Sequence, residues 1–191
     1  MKKFTLAFLF LISSNAHAVG LGLGTYMPAS NRYQNQPDGS RDGFQLNPYV
    51  SLSTKWNFFN NHYIAPEIGM AFHTKTEDEY SKRTVVILWH MAYRLSESFY
   101  LRYGFGTFWT RISGDGEEVV LPNGSSTATF YAPSESATTY NTSTDIGLEY
   151  QIGGNEFSST SYSLRGDLML VQPLDSDERS FSYLLSLVYS I

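Results

Sequence analysis

Eight stretches of this chain alternate between large apolar residues and small or polar ones. That period of two is the mark of strands with two unlike faces. The last stretch, FSYLLSLVYSI, is the plainest. Phe181, Tyr183, Leu185, Leu187, Tyr189 and Ile191 share one face, and three of the five residues between them are serine. At the other end, VGLGLGTYM (19–27) sets Val19, Leu21 and Leu23 against glycines. FQLNPYVSLSTKW (44–56) opposes Phe44, Leu46, Val50 and Leu52 to Asn47, Tyr49, Ser51, Ser53 and Lys55. Similar alternation covers 63–73, 84–94, 99–109, 140–152 and 161–170.

The connections sort by length. The first is long and rich in turn formers (ASNRYQNQPDGSRDG), and the second is only NFFNNH. KTEDEYSKR is moderate and SES is tight; the stretch at about 112–137 is the longest, GGNEFSST is short and PLDSDERS moderate. Mostly long connections alternating with mostly short ones fit a membrane barrel, with extracellular loops at one end and periplasmic turns at the other. The expected extracellular loops are about 28–43, 74–83, 112–137 and 172–180.

Alternation alone does not say which face is outside, because a soluble antiparallel sheet shows the same pattern. The second face decides. It carries Gly20, Gly22, Gly24, Gly69, Ala71, Gly104, Gly106 and Gly147, with a few charges of both signs. Small residues suit the interior of an eight-stranded barrel, which side chains just fill. Lys55, Arg94, Arg102 and Arg165 share that face with Glu67, Asp145, Glu149 and Asp167, and His90 is among them. Buried charges must be paired, so these nine residues are expected to form a salt-bridge network in the lumen.

Aromatic residues gather at the strand ends. Trp56, Tyr63, Tyr93, Phe99, Tyr150, Tyr162 and Tyr189 fall near the short turns; Phe44, Phe72, Trp109, Tyr140 and Phe181 fall near the long loops. Two aromatic girdles framing an apolar band mark two membrane–water interfaces. Pro48 and Pro66 sit within strands, where proline removes a ladder donor, so a bulge is expected at each.

The first residues add a compartment. Lys2 and Lys3 precede an apolar run, Phe4 to Ile12, and then Ala16-His17-Ala18, the layout of a cleavable signal peptide over 1–18. The run is too short to span a bilayer as a helix. The barrel is then expected over 19–191. The formal net charge of the whole chain is −5. Without Lys2 and Lys3, 11 basic residues face 18 acidic ones. An acidic surface argues against nucleic acid as a partner. There is no cysteine and so no disulfide framework.

Taken as a pattern over 19–191, the chain resembles the small eight-stranded outer-membrane β-barrels of Gram-negative bacteria, the OmpA/OmpX-like group. The resemblance implies an all-β, antiparallel, up-and-down transmembrane barrel. It also implies outer-membrane lipid, lipopolysaccharide and the barrel-assembly machinery as partners. Members usually end in an aromatic residue read by that machinery; this chain ends in Ile191, with Tyr189 two places earlier.

The chain contains no GxSxG, HExxH or P-loop motif. Neither a cofactor nor a metal is expected. Lipid A modification, which the resemblance brings in as an alternative, would need a histidine near a serine at the outer leaflet. His73, at the long-loop end, is the one candidate, since His62 lies at the short-turn end and His90 points inward. Acidic loop residues (Asp115, Glu117 and Glu118; Asp175, Asp177 and Glu178) offer oxygen ligands without EF-hand spacing. Lys75, Lys82, Arg83 and Arg111 fall near the outer rim, within reach of lipopolysaccharide phosphates. The sequence reading is thus a structural or surface-interaction protein, not an enzyme, with recognition in the extracellular loops. A narrow channel is the other alternative.

Overall fold

The computed structural model describes residues 18–28, 46–73, 81–114, 116, 118–123, 126–131, 136–154, 160–176 and 179–191. Residues 1–17 of the expected signal peptide, Phe44 and most of the first long loop lie outside them, as do Lys75, Asp115, Glu117, Asp177 and Glu178, while Ala18 is already the first residue of a strand.

Among the described residues ten strands form: β1 (Ala18–Met27), β2 (Asn47–Phe59), β3 (His62–Phe72), β4 (Ser81–Arg94), β5 (Phe99–Ser113), β6 (Glu118–Asn123), β7 (Ser126–Tyr131), β8 (Ala137–Gly153), β9 (Ser161–Val171) and β10 (Ser180–Ser190). Eight of them close a barrel in the order β1-β10-β9-β8-β5-β4-β3-β2. Every pairing is antiparallel, and β10 closes on β1 from Gly20↔Ser190 to Met27↔Tyr183. The barrel is up-and-down, and the described residues contain no helix.

The two faces follow the alternation. Along β10, Ser182, Leu184, Ser186 and Val188 are buried while Phe181, Tyr183, Leu185 and Leu187 are exposed. On β2, Asn47, Tyr49, Ser51 and Ser53 are buried while Leu46, Val50 and Leu52 are exposed. The outside therefore carries the apolar side chains, with Phe105 as much as 61% exposed.

Inside, space is short. A Cβ at Gly69 would fall on the ring of Tyr49, and one at Gly147 on the carboxylate of Asp167. An apolar layer of Tyr26, Tyr49, Ala71, Val86, Leu88, Phe108, Met169, Val171 and Leu184 fills the long-loop half of the lumen.

Three sequence expectations are corrected. The stretch 112–137 is not all loop: β6 and β7 pair as a separate hairpin from Glu118↔Tyr131 to Asn123↔Ser126. Its arms, EVVLPN and STATFY, are rich in strand formers. Neither Pro48 nor Pro66 makes a bulge. Pro48 faces Thr25 and Pro66 faces Trp89 in unbroken register. Pro66 is accommodated because Thr54 and Lys55, the residues that constant register would set against Pro66 and Ala65, have no β3 partner. The register shifts fall at Asn57/Phe59 and Gln151/Gly153, beside short turns. The third concerns β2, which runs on to Phe59, so the first short turn is Asn60-Asn61 alone, with Asn60 at φ 48°.

Gly69→Ala is expected to cost ~1–3 kcal/mol by pushing Tyr49 off its site. Gly22→Ala should cost less, because its Cβ would meet chiefly the Ser51 hydroxyl, which can rotate away. Urea titration of the refolded barrel checks the order; equal midpoints for the two variants would show that Tyr49 does not pack as described.

Candidate functional site

Below the apolar layer, towards the short turns, the inward phase of six strands brings charged side chains together. Arg102 on β5 lies at the centre and is fully buried. Its Nε donates to Asp167 Oδ1 at 3.0 Å, NH1 to Glu149 Oε2 at 3.4 Å and NH2 to Glu67 Oε2 at 3.2 Å. Arg165 on β9 reaches across the lumen. Its Nε donates to Glu149 Oε2 at 3.1 Å, and NH1 donates to Ser53 Oγ at 2.9 Å and Glu67 Oε2 at 3.4 Å. Lys55 Nζ donates to Glu149 Oε1 at 2.8 Å and lies 3.9 Å from the centre of the Tyr100 ring. Tyr49 closes the set, its hydroxyl donating to Glu67 Oε1 at 3.0 Å. Glu149 thus meets three cations and Glu67 meets two guanidinium groups and a phenol.

His90 has a defined tautomer. Arg102 NH2 lies 2.8 Å from its Nδ1. A guanidinium only donates, so Nδ1 accepts and the ring proton sits on Nε2. Nε2 approaches Asp145 Oδ1 to 2.6 Å, but the N–H is not aimed along a hydrogen bond. Among the described residues neither Asp145 oxygen, nor Asp167 Oδ2, has a donor in bonding geometry. The cluster holds three cations, Lys55, Arg102 and Arg165, against four carboxylates. Asp145 is the one that no lysine or arginine meets; its neighbour is His90.

Two of the residues named from the sequence stand elsewhere. Arg94 is at the short-turn end, half-buried, and its Nε donates to Ser96 O at 3.2 Å. Tyr63 is on the inward phase with Ala65 and Glu67, and its ring meets that of buried Tyr100 at 5.8 Å. It lines the bottom of the lumen and is not part of an outer girdle. The other girdle candidates on described residues take the outward phase. Phe99 pairs with Tyr150 (4.7 Å between ring centres), Tyr162 with Tyr189 (5.1 Å) and Trp109 with Tyr140 (5.2 Å). Tyr93 stacks on His62 at 4.8 Å, and Trp56 lies across from Ile64. Phe72 and Phe181 are exposed near the long loops. The apolar upper layer of the lumen went unpredicted, although Tyr26, Val86, Leu88, Phe108, Met169 and Leu184 all share the inward phase.

Known structures share this arrangement of strands. Ail, the attachment invasion locus protein of Yersinia pestis, superposes with a TM-score of 0.51 at 11% identity, over 91% of this chain and 98% of Ail. Neisserial surface protein A, NspA, gives 0.50 at 10% identity, over 91% and 95%. Ail in complex with the heparin analogue sucrose octasulfate gives 0.52 at 11%, over 91% and 98%. This is the fold of the small eight-stranded outer-membrane β-barrels. No protein-family model and no curated protein matches the chain.

For such a barrel, His73 has a particular interest because it lies one residue beyond β3 at the long-loop end. Its Nε2 is 2.7 Å from Thr84 Oγ1, which is in turn 2.9 Å from Thr110 Oγ1. Burial lowers its imidazole to about 4, and Lys82 pushes the same way, so the ring is uncharged at neutral pH. Thr84 is buried at the mouth of the lumen. Among the described residues no serine or carboxylate hydrogen-bonds to His73.

Removing a partner from the cluster should have unequal effects. Glu149→Gln leaves three cations short of a carboxylate and is expected to cost ~3–5 kcal/mol. Asp145→Asn keeps an oxygen beside His90 Nε2 and removes a carboxylate that no lysine or arginine meets, so its effect should stay within ~1 kcal/mol or be stabilising. Denaturant titration followed by tryptophan fluorescence compares them; an equal loss in both would contradict the pairing described.

Proposed function

We propose that this chain is an integral outer-membrane protein, exported by the signal peptide at 1–18, whose barrel is a rigid anchor for loops that carry recognition at the cell surface. The observation that carries this reading is the outward face. Leu23, Leu52, Ile68, Trp89, Phe105, Ile146, Leu164 and Leu185 form an exposed apolar band around all eight barrel strands. Water does not solvate such a surface well; hydrocarbon does. The paired aromatic rings near both ends fit headgroup level. The longest connection, which carries the β6–β7 hairpin, is where we place ligand recognition.

Arg83 and Arg111 support lipopolysaccharide as a partner. They face each other in the β4–β5 register, both exposed, one step beyond Val85 and Trp109. Like charges directly opposed are unfavourable, and no described carboxylate pairs with either. A phosphate between them would offset the repulsion with charge-assisted hydrogen bonds. Insertion by the barrel-assembly machinery, reading the last strand with Tyr189 and Ile191, completes the set of proposed partners.

The channel alternative is opposed by the filled lumen, an apolar layer over a charged one. The lipid-modifying alternative rests on His73, whose hydrogen-bond partner is the enclosed hydroxyl of Thr84, so among the described residues that reading has no reachable nucleophile.

Heat-modifiable gel mobility of the outer-membrane fraction tests location and barrel closure together. A band that does not shift on boiling, or recovery of the protein in the soluble fraction, would sink the reading. On the lipid face, Leu185→Arg should cost ~2–4 kcal/mol for protein refolded into liposomes; a midpoint equal to wild type would place water, not lipid, outside β10.

A further inference from the structure

The long-loop rim is uneven. β8 pairs with β5 up to Ala137, but with β9 only from Ser143 onward. Where β9 ends, the chain turns away through Gln172, at a φ of 50°. That left-handed conformation favours glycine or asparagine and strains other side chains. Two contacts hold it. Gln172 N donates to Thr142 O at 2.7 Å, and Gln172 Nε2 donates to Asn141 Oδ1 at 2.6 Å. Asp175 N then donates back to Gln172 O at 3.1 Å. The result is an open recess of about 200 Å³ lined by Tyr140, Asn141, Thr142, Gln172, Leu174 and Asp175.

Its lining has two characters. Tyr140 is 66% exposed and braced from behind by Trp109, and Leu174 is 98% exposed. These give an apolar platform. Around it stand a threonine hydroxyl, two amides and a carboxylate. Gln172 spends Nε2 on Asn141, which leaves Gln172 Oε1 to accept and Asn141 Nδ2 to donate. None of the described lining residues is a cation, and Arg179, on the same connection, turns its NH2 to Pro173 O at 2.9 Å, so the recess favours an uncharged ligand over a phosphate or sulfate. A sugar ring fits both characters. Its C–H face packs on an aromatic ring, and its neighbouring hydroxyls accept from one amide and donate to the other. The volume is below the ~300–1,000 Å³ of drug-sized sites, which suits a single ring. An added peptide strand fits less well, because Gln172 to Asp175 fold across the space it would occupy beside β8.

We propose that the recess between β8 and the β9–β10 connection binds one pyranose ring of a saccharide. The ring has two sources of the same chemistry, the sugar headgroup of a glycolipid in the same leaflet and a free glycan. Only the first rests on the membrane reading above.

The test is amide NMR of the full barrel in phosphatidylcholine nanodiscs, titrated with glucose, galactose and N-acetylglucosamine, and repeated in detergent micelles. The micelle titration reads the recess whether or not the barrel is a membrane protein. Shifts confined to Tyr140–Thr142 and Gln172–Asp175, saturating at roughly 1–10 mM, are expected. Gln172→Gly relieves the backbone and deletes the amide, so it should fold normally and bind at least about tenfold more weakly; Tyr140→Ala should do the same. Shifts that appear only when lipopolysaccharide is built into the discs assign the headgroup source. The proposal fails if neither free sugars at ~100 mM nor lipopolysaccharide discs move these amides. It fails too if Gln172→Gly binds as wild type, or if an extended peptide moves them where no sugar does.

Discussion

The lumen of an eight-stranded barrel is only as wide as the side chains that fill it, and Arg102 is where that constraint is tightest. Its guanidinium is buried in the lumen and meets groups from β3, β4, β8 and β9. A lysine could not replace it, because one ammonium cannot present a planar fork in several directions at once. Desolvating these charges is costly, and their mutual pairing mainly recovers that cost. What the cluster adds is register. A one-residue slip of β3, β8 or β9 would turn Glu67, Glu149 or Asp167 towards the apolar exterior and strip Arg102 of a partner. Glycine is the complement to the large charged groups: Gly147 leaves room for the Asp167 carboxylate, as Gly69 does for Tyr49.

The two layers of the lumen follow from the same limit. The cations and carboxylates meet in the short-turn half, where Lys55, Arg102, Arg165, Glu67 and Glu149 come to similar depth. Above them Val86, Leu88, Phe108, Met169 and Leu184 exclude water. Tyr49 belongs to both layers, with its ring in the apolar one and its hydroxyl on Glu67. Exclusion of water from above strengthens every charge contact below.

The alternation made the eight barrel strands and their inner faces legible, because a period of two is a local property that survives any tertiary arrangement. Depth was harder to read. Strand stagger decides it, and stagger is set by cross-strand pairing that the sequence does not spell out. That is why Arg94, in phase with His90 and Ala92, ends at the rim beside Ser96. Tyr63 lies near a turn, as a girdle residue would, but its parity with Ala65 and Glu67 points it inward. The bulges expected at the prolines failed for a different reason: a missing donor matters only where the neighbour would have accepted it, and opposite Pro66 the β2–β3 ladder is already open. Inner-face Val, Leu, Phe and Met residues are in phase in the sequence, but alternation alone does not separate an apolar layer from the charged one below it, because that division is one of depth.

A filled lumen moves any recognition to the rim, and the rim's shape comes from unequal strand lengths. β4, β5 and β8 continue past the end of β9, and β3 stops opposite Arg83. Two chemically different places result on the outward side of the same three-strand extension. Between β4 and β5, Arg83 and Arg111 concentrate positive charge above the aromatic level. On the far side of β8, Tyr140 and Gln172 frame a recess whose described lining residues include no lysine or arginine. Charge distinguishes the two places. The barrel gives both places the same rigid support, since β5 and β8 stay paired from Ile112↔Ala137 down to Phe99↔Tyr150.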